Sequence, residues 1–227
     1  MESKMVKKTN GSMVLHDPSM NTTTEAAKED RYEHERPYQA IVTIEGVAHL
    51  ICHKFDCDEV EAKAKASKGS KTKKTDNIES YVYRVPDTNE LGIPGKNIKA
   101  MLTSKKNGAA KSFQDPRSKM KSAAEMMQAS IFVEPEVATL GKKTWDFIDR
   151  SRMNVQNRGI VRLRPGFTRG WKLTFVVNVV QPSLVPPEFL RQVIDHAGSF
   201  CGLGDSRPDY GRFVVVKFET KPYVNSR

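Results

Sequence analysis

The chain predicts an α+β fold with the element order β-α-β-β-α-β, interrupted by two long basic insertions. Three observations carry this expectation. Apolar stretches of strand length recur along the chain, and two helix starts are marked by prolines, at Pro94-Gly95 and Pro186-Pro187. Basic segments rich in glycine, serine or asparagine separate the first strand from the first helix and the second strand from the third.

Residues 1–36 are polar, poor in aliphatic side chains and without periodicity, which fits a loosely attached tail. Gln39–Ile51 is the first strand; Ile41, Thr43 and Glu45 break a clean alternation, so it reads as buried on both faces. Ser80–Val85 reads as a short strand with a turn at Pro86–Asn89. The Pro94-Gly95 turn, followed by Ile98, Met101 and Leu102 at helical spacing, starts a helix over 96–102. A shorter helix is expected around Ala123–Gln128. Ser130–Val137, Arg158–Leu163 and Trp171–Val180 read as strands. A second main helix runs from Pro186-Pro187 to Ile194, with Gly198 at its exit, and Arg212–Glu219 is the last strand. With insertions at about 54–92 and 138–168 set aside, this is the order of a ferredoxin-like, RRM-type domain. That single domain spans 37–221, with a short tail at 222–227.

Of 227 residues, 37 are basic and 27 acidic, a net charge of +10 that favours a polyanionic partner. No apolar run approaches the ~18 to 20 residues needed to span a bilayer, so no membrane partner is expected. The N-terminus lacks the apolar core of a signal peptide. Cys52, Cys57 and Cys201 are unevenly spaced, which argues against a disulfide framework and for a reducing, cytoplasmic setting. The positive charge is clustered. Lys63–Lys74 holds six lysines and no acid, Ser104–Ser122 six basic residues against Asp115, and Arg150–Lys172 seven basic residues and no acid. Each cluster reads as a loop or extended arm, a form of presentation suited to a phosphate backbone.

Gly202–Arg212 (GLGDSRPDYGR) packs three glycines and two arginines directly before a β-branched run. Glycine lets a ligand approach the main chain, and arginine offers a planar charged fork to phosphate. Gly202, Gly204, Arg207, Gly211 and Arg212 are therefore candidate nucleic-acid contacts. Tyr210 either stacks on a base or packs beneath the loop. Lys96, Asn97 and Lys99 sit in the first turn of the first helix, where a lysine opposes the helix dipole unless an anion is present. Lys54, which opens the first insertion, is a further candidate nucleic-acid contact. Arg150, Arg152 and Arg158 are either backbone contacts or a solvated strand edge. His49, Cys52, His53 and Cys57 are soft ligands within nine positions. Strand alternation turns Cys52 away from His49 and His53, so they read as strand residues and no metal centre is expected. Trp145 and Trp171 read as core anchors. No Walker loop, nucleophile elbow or histidine triad occurs.

Asp76–Pro86 followed by Gly92–Leu102 resembles the RAMP superfamily, in whose type III CRISPR backbone subunits an aspartate-led segment precedes an "IPGSSLKG" helix start. Asp209-Tyr210-Gly211-Arg212 is similar to the element that closes the family's glycine-rich loop. Lys96-Asn97 stands for two serines, Ala100 for a glycine, and Pro208 interrupts the loop. The resemblance spans roughly 39–219. It implies a subunit that multimerises side by side along single-stranded nucleic acid, RNA or DNA, with other effector subunits as further partners. Asp76 would then be the acidic group of a magnesium-dependent endoribonuclease; without cleavage no cofactor is implied. A homologue of mobile-element origin, acting as an assembly or single-strand-binding protein outside CRISPR, is the third reading.

Overall fold

The computed structural model describes residues 36–54, 77–155 and 158–223, with side chains except at 153–155 and 158–160. The main sheet follows from apolar periodicity. In β1 (Tyr38–Gly46) alternate residues Ala40, Val42 and Ile44 are fully buried, and in β9 (Lys172–Val179) so are Leu173, Phe175 and Val177. The two strands are antiparallel with Ala40 opposite Val177, Val42 opposite Phe175 and Ile44 opposite Leu173. Directly opposed residues share a face, so these six side chains form one apolar surface. β10 (Phe213–Pro222) pairs with the other edge of β1, and β5 (Ile131–Glu134) with the other edge of β9. The sheet order is β10-β1-β9-β5, all antiparallel.

Among the described residues three α-helices complete the order. The first, α1 (Gly95–Thr103), and α2 (Ala124–Ser130) lie between β1 and β5; α3 (Pro187–His196) lies between β9 and β10. Their buried stripes, Ile98-Met101-Leu102, Met126-Met127 and Leu190-Val193-Ile194, join the core cluster of the sheet. Strand, helix, strand, strand, helix, strand with spatial order fourth-first-third-second is the ferredoxin-like arrangement expected from the sequence.

Both insertions carry strands, and they pair with each other. β2 (Leu50–Ile51) lies against β8 (Arg158–Phe167), which forms a hairpin with β7 (Phe147–Val155). β3 (Tyr83–Arg84) pairs with β4 (Leu91–Pro94), and β4 with β6 (Val137–Lys142). The described part of the second insertion is largely sheet and that of the first a 3-10 turn (Ile78–Tyr81) with short strands, so neither is an extended arm. The Lys63–Lys74 cluster and the tail over 1–35 lie outside the described residues.

Several local expectations are corrected. β1 is not buried on both faces: its exposure alternates strictly, with Ile41, Thr43 and Glu45 half-buried. It also stops at Gly46, where a Cβ would stand 2.0 Å from the Trp171 Nε1. Gly198 is not the helix exit. The chain continues past α3 into a π-helical turn over Ala197–Cys201 and leaves through Gly202, at φ +72°. Gly198 is needed instead for close packing, since a Cβ there would meet the Phe213 carbonyl oxygen at 2.3 Å. The Ser104–Ser122 cluster is partly self-neutralised. Lys105 and Lys121 face Glu125, and Arg117 pairs with the buried Asp115 at 2.8 Å. Trp171 is a core anchor whose Nε1 donates to the Ala48 carbonyl at 2.9 Å, while Trp145 packs half-buried at the core's margin.

Candidate functional site

The two motif stretches meet at one cleft of about 250 Å³. Pro94 and Asn97 at the start of α1 line one part of it, and Gly204 and Asp205 of the glycine loop another. Cys52 and His53 beyond β2, Tyr83 of β3, Ile93 of β4 and Arg162 of β8 complete the wall. Residues more than a hundred positions apart are thus brought to one place by the strand pairs β2–β8 and β3–β4.

The N-terminus of α1 opens onto the cleft without a side-chain cap. Its N-cap is Pro94, which offers no side-chain cap, and its first turn holds no acidic residue. The Gly95 N–H donates to the Glu136 carbonyl at 2.8 Å, leaving the Lys96 and Asn97 N–H groups as the unsatisfied pair of that turn among the described residues. Lys96 and Asn97 are both exposed. Lys99 is half-buried further along, its carbonyl accepting the Thr103 hydroxyl, and it does not line the cleft.

The glycine loop is held by its own main chain. The Gly202 N–H donates to Ala197, Leu203 to Gly211, Asp205 to Ile51, Tyr210 to Ser206 and Gly211 to His49. Ser206 N–H donates to the Asp205 Oδ1 at 3.0 Å. These six donors are spent inside the fold, so the expected backbone cradle for an anion is not what Gly202 and Gly211 make. The glycines are required where backbone meets backbone. At Gly211 (φ +76°) a Cβ would lie 1.7 Å from the Leu203 oxygen, and at Gly204 (φ +82°) 2.4 Å from that of Ile51. Gly204 alone of the three both lines the cleft and has an N–H with no acceptor among the described residues. Arg207 turns back on the loop, Nη1 to the Gly202 carbonyl at 3.5 Å, and the exposed Arg212 does likewise, Nε to Pro208 at 2.9 Å. Tyr210 is half-buried.

Strand parity sorts the third basic cluster. Opposite Arg150 and Arg152 of β7 stand Leu163 and Val161 of β8. These four, with Ile148, occupy one face of the hairpin, and both arginines are exposed there. Arg162 and Arg164 occupy the other face. The cleft therefore takes its cation from Arg162, which sequence reading passed over, and not from Arg150 or Arg152. Arg158 opposes Val155 in the register, and its side chain lies outside the description; Asp76 lies outside the described residues altogether.

Arg164 belongs to the acid-free run Arg150–Lys172, yet its side chain is only 3% exposed. Nε donates to Asp149 Oδ2 at 3.0 Å and Nη2 to the Ser151 hydroxyl at 2.6 Å. Nη1 donates to Asp205 Oδ2 at 3.0 Å and to the Ser206 hydroxyl at 2.7 Å. Burial pulls the guanidinium pKa down, but the hydrogen bonds to Asp205 and Asp149 outweigh it and the net shift is upward. This ion pair network ties the tip of the glycine loop to the β7–β8 hairpin.

Around Cys52, His53 and Tyr83 the surroundings of the cleft are aromatic and soft. Lys54, exposed, places its Nζ 5.7 Å from the centre of the Tyr83 ring, and its N–H donates to Tyr81. The His53 ring stacks on Tyr81 at 4.6 Å, and His49 meets Phe147 edge-on at 5.4 Å. Burial pushes the Cys52 thiol up to about 12, with the Asp205 charge adding to it, so Cys52 is no thiolate ligand at neutral pH. Among the described residues no group of three or more His, Cys, Asp or Glu side chains is placed to hold a metal ion. Nor is any described helix long and apolar enough to cross a membrane.

No family model matches the chain, and no curated protein matches it. Among solved structures it is similar to a chain in the cryo-electron-microscopy structure of the type III-B Cmr-beta bound to cognate target RNA. That chain is 14% identical, with a TM-score of 0.47, over 92% of this chain and 68% of the other.

Proposed function

We propose that this chain binds single-stranded RNA through its phosphate backbone, as a multimerising backbone subunit of RAMP type in a CRISPR-like ribonucleoprotein. The observation that carries the reading is the convergence of the α1 entry, the glycine loop and Arg162 on one cleft. A lysine in the first helical turn costs about 0.3–1 kcal/mol against the helix dipole, and a phosphate seated there reverses the sign. Two unsatisfied N–H groups and a guanidinium supply direct donors. Asp205 repels such an anion less than an isolated carboxylate would, because the buried Arg164, which it shares with Asp149, offsets part of its charge. The cleft is on the scale of one sugar-phosphate unit, so a longer strand engages successive protomers.

Binding of fluorescent single-stranded oligonucleotides across a salt series tests this. The expected result is a logarithmic affinity falling linearly with log salt, by roughly 0.7 per phosphate contact. Lys96→Glu and Arg162→Glu each flatten that slope. Absence of affinity for any single strand, or affinity without a salt slope, overturns the reading.

A further inference from the structure

We infer that Asp205 makes this cleft select ribose over deoxyribose, its carboxylate accepting a hydrogen bond from the 2′-hydroxyl of a bound nucleotide. The inference rests on the single-strand reading above and adds its sugar specificity. Asp205 lines the same cleft as Asn97 and Arg162, and its side chain is 35% exposed. Its two oxygens are fixed from behind: Oδ1 takes the Ser206 N–H at 3.0 Å and Oδ2 takes Arg164 Nη1 at 3.0 Å. A carboxylate has about four acceptor positions, so a donor in the cleft can still be bonded. Arg164 and the loop backbone hold the group rigid, which removes most of the ordering cost of that bond.

A carboxylate inside an anion-binding cleft needs a reason, because a phosphate offers it no donor. Next to a phosphodiester, the ribose 2′-hydroxyl is the donor that RNA supplies and DNA lacks. The cleft therefore holds groups that match the two ends of one ribonucleotide unit, Asn97 and Arg162 for the phosphate and Asp205 for the sugar hydroxyl.

The test compares three nonamers that share one base: oligouridine, oligodeoxyuridine and 2′-O-methyl oligouridine, which accepts but cannot donate. Wild-type protein is expected to bind oligouridine about tenfold or more tightly than either of the others, the scale of one hydrogen bond to a charged group. Asp205→Ala brings the ratio to within about twofold of unity. Asp149→Ala, which cuts the same Arg164 network away from the cleft, keeps the wild-type ratio. Equal wild-type affinity for the three oligomers overturns the inference, as does a ratio unmoved by Asp205→Ala or lost equally in Asp149→Ala. If Asp205→Ala does not fold, the wild-type comparison decides alone. Preference for oligouridine over both analogues upholds the inference, and 2′-O-methyl binding as tight as oligouridine refutes it. Failure of all three to bind removes the single-strand reading itself, a result distinct from binding without sugar preference.

Discussion

Replacing Arg164 with alanine strips the glycine loop of its tether to the β7–β8 hairpin. The guanidinium bonds Asp149, Ser151, Asp205 and Ser206 from a site with 3% of its side chain exposed. Breaking a buried ion pair by removing one partner costs about 3–5 kcal/mol, because the other charge is left uncompensated. Here the stranded carboxylates regain some water, since the Asp149 and Asp205 side chains are 17% and 35% exposed. The expected loss is therefore about 2–4 kcal/mol, or a melting temperature lower by roughly 4–16 °C for a chain of this size. Thermal unfolding followed by circular dichroism measures it, and amide exchange over 203–211 locates it. Arg164→Lys, a point charge that cannot bond four partners at once, recovers only part of the loss. A melting temperature within 2 °C of wild type, with unchanged exchange in the loop, would refute the assignment of Arg164 as its tether.

Gly211→Ala places a methyl group 1.7 Å from the Leu203 oxygen at a φ of +76°, and should cost at least about 2 kcal/mol in denaturant unfolding. Arg162→Ala should weaken single-strand binding several-fold more than Arg150→Ala, because only Arg162 faces the cleft; equal losses would contradict the parity argument. The side-chain and backbone hydrogen bonds from Arg117 hold the Asp115 carboxyl at about 2, below its usual 3.8. A depressed folded-state pKa contributes stability that is complete above the unfolded value and lost as pH falls through the folded one. The window is thus about pH 4 down to 2, and Asp115→Asn should flatten acid-limb stability there, read as melting temperature against pH.

Much of the scaffold was legible because its signals are local. The apolar residues of β1, β9 and β10, and the prolines that open α1 and α3, identify elements without reference to the rest of the chain. β7 was not legible. Asp149, Arg150, Ser151, Arg152 and Asn154 carry no apolar alternation, and the strand exists because β8 pairs with it and Arg164 bonds Asp149 and Ser151. The same nonlocality misled the charge count. Arg164 looked like part of an acid-free patch because Asp149 precedes that window and Asp205 lies 41 residues on. The alternation that separates Arg162 and Arg164 from Arg150 and Arg152 was present in the sequence as a period of two. It becomes usable only once both segments are known to be strands. In the glycine loop the composition was informative but its purpose was not, since a glycine needed against backbone and one needed against a ligand look alike in a sequence.

The pairing of β2 with β8 makes the cleft a joint product of distant parts of the chain. Leu50 and Ile51 pair with Phe167 and Gly166, and the same Ile51 carbonyl receives the Asp205 N–H. Each closure spans a long stretch of chain, and its entropic cost is recovered only when the contact forms. During synthesis the residues of the α1 entry emerge long before the loop that completes the cleft with them. The cleft is therefore complete only when the segment around 205 has been added.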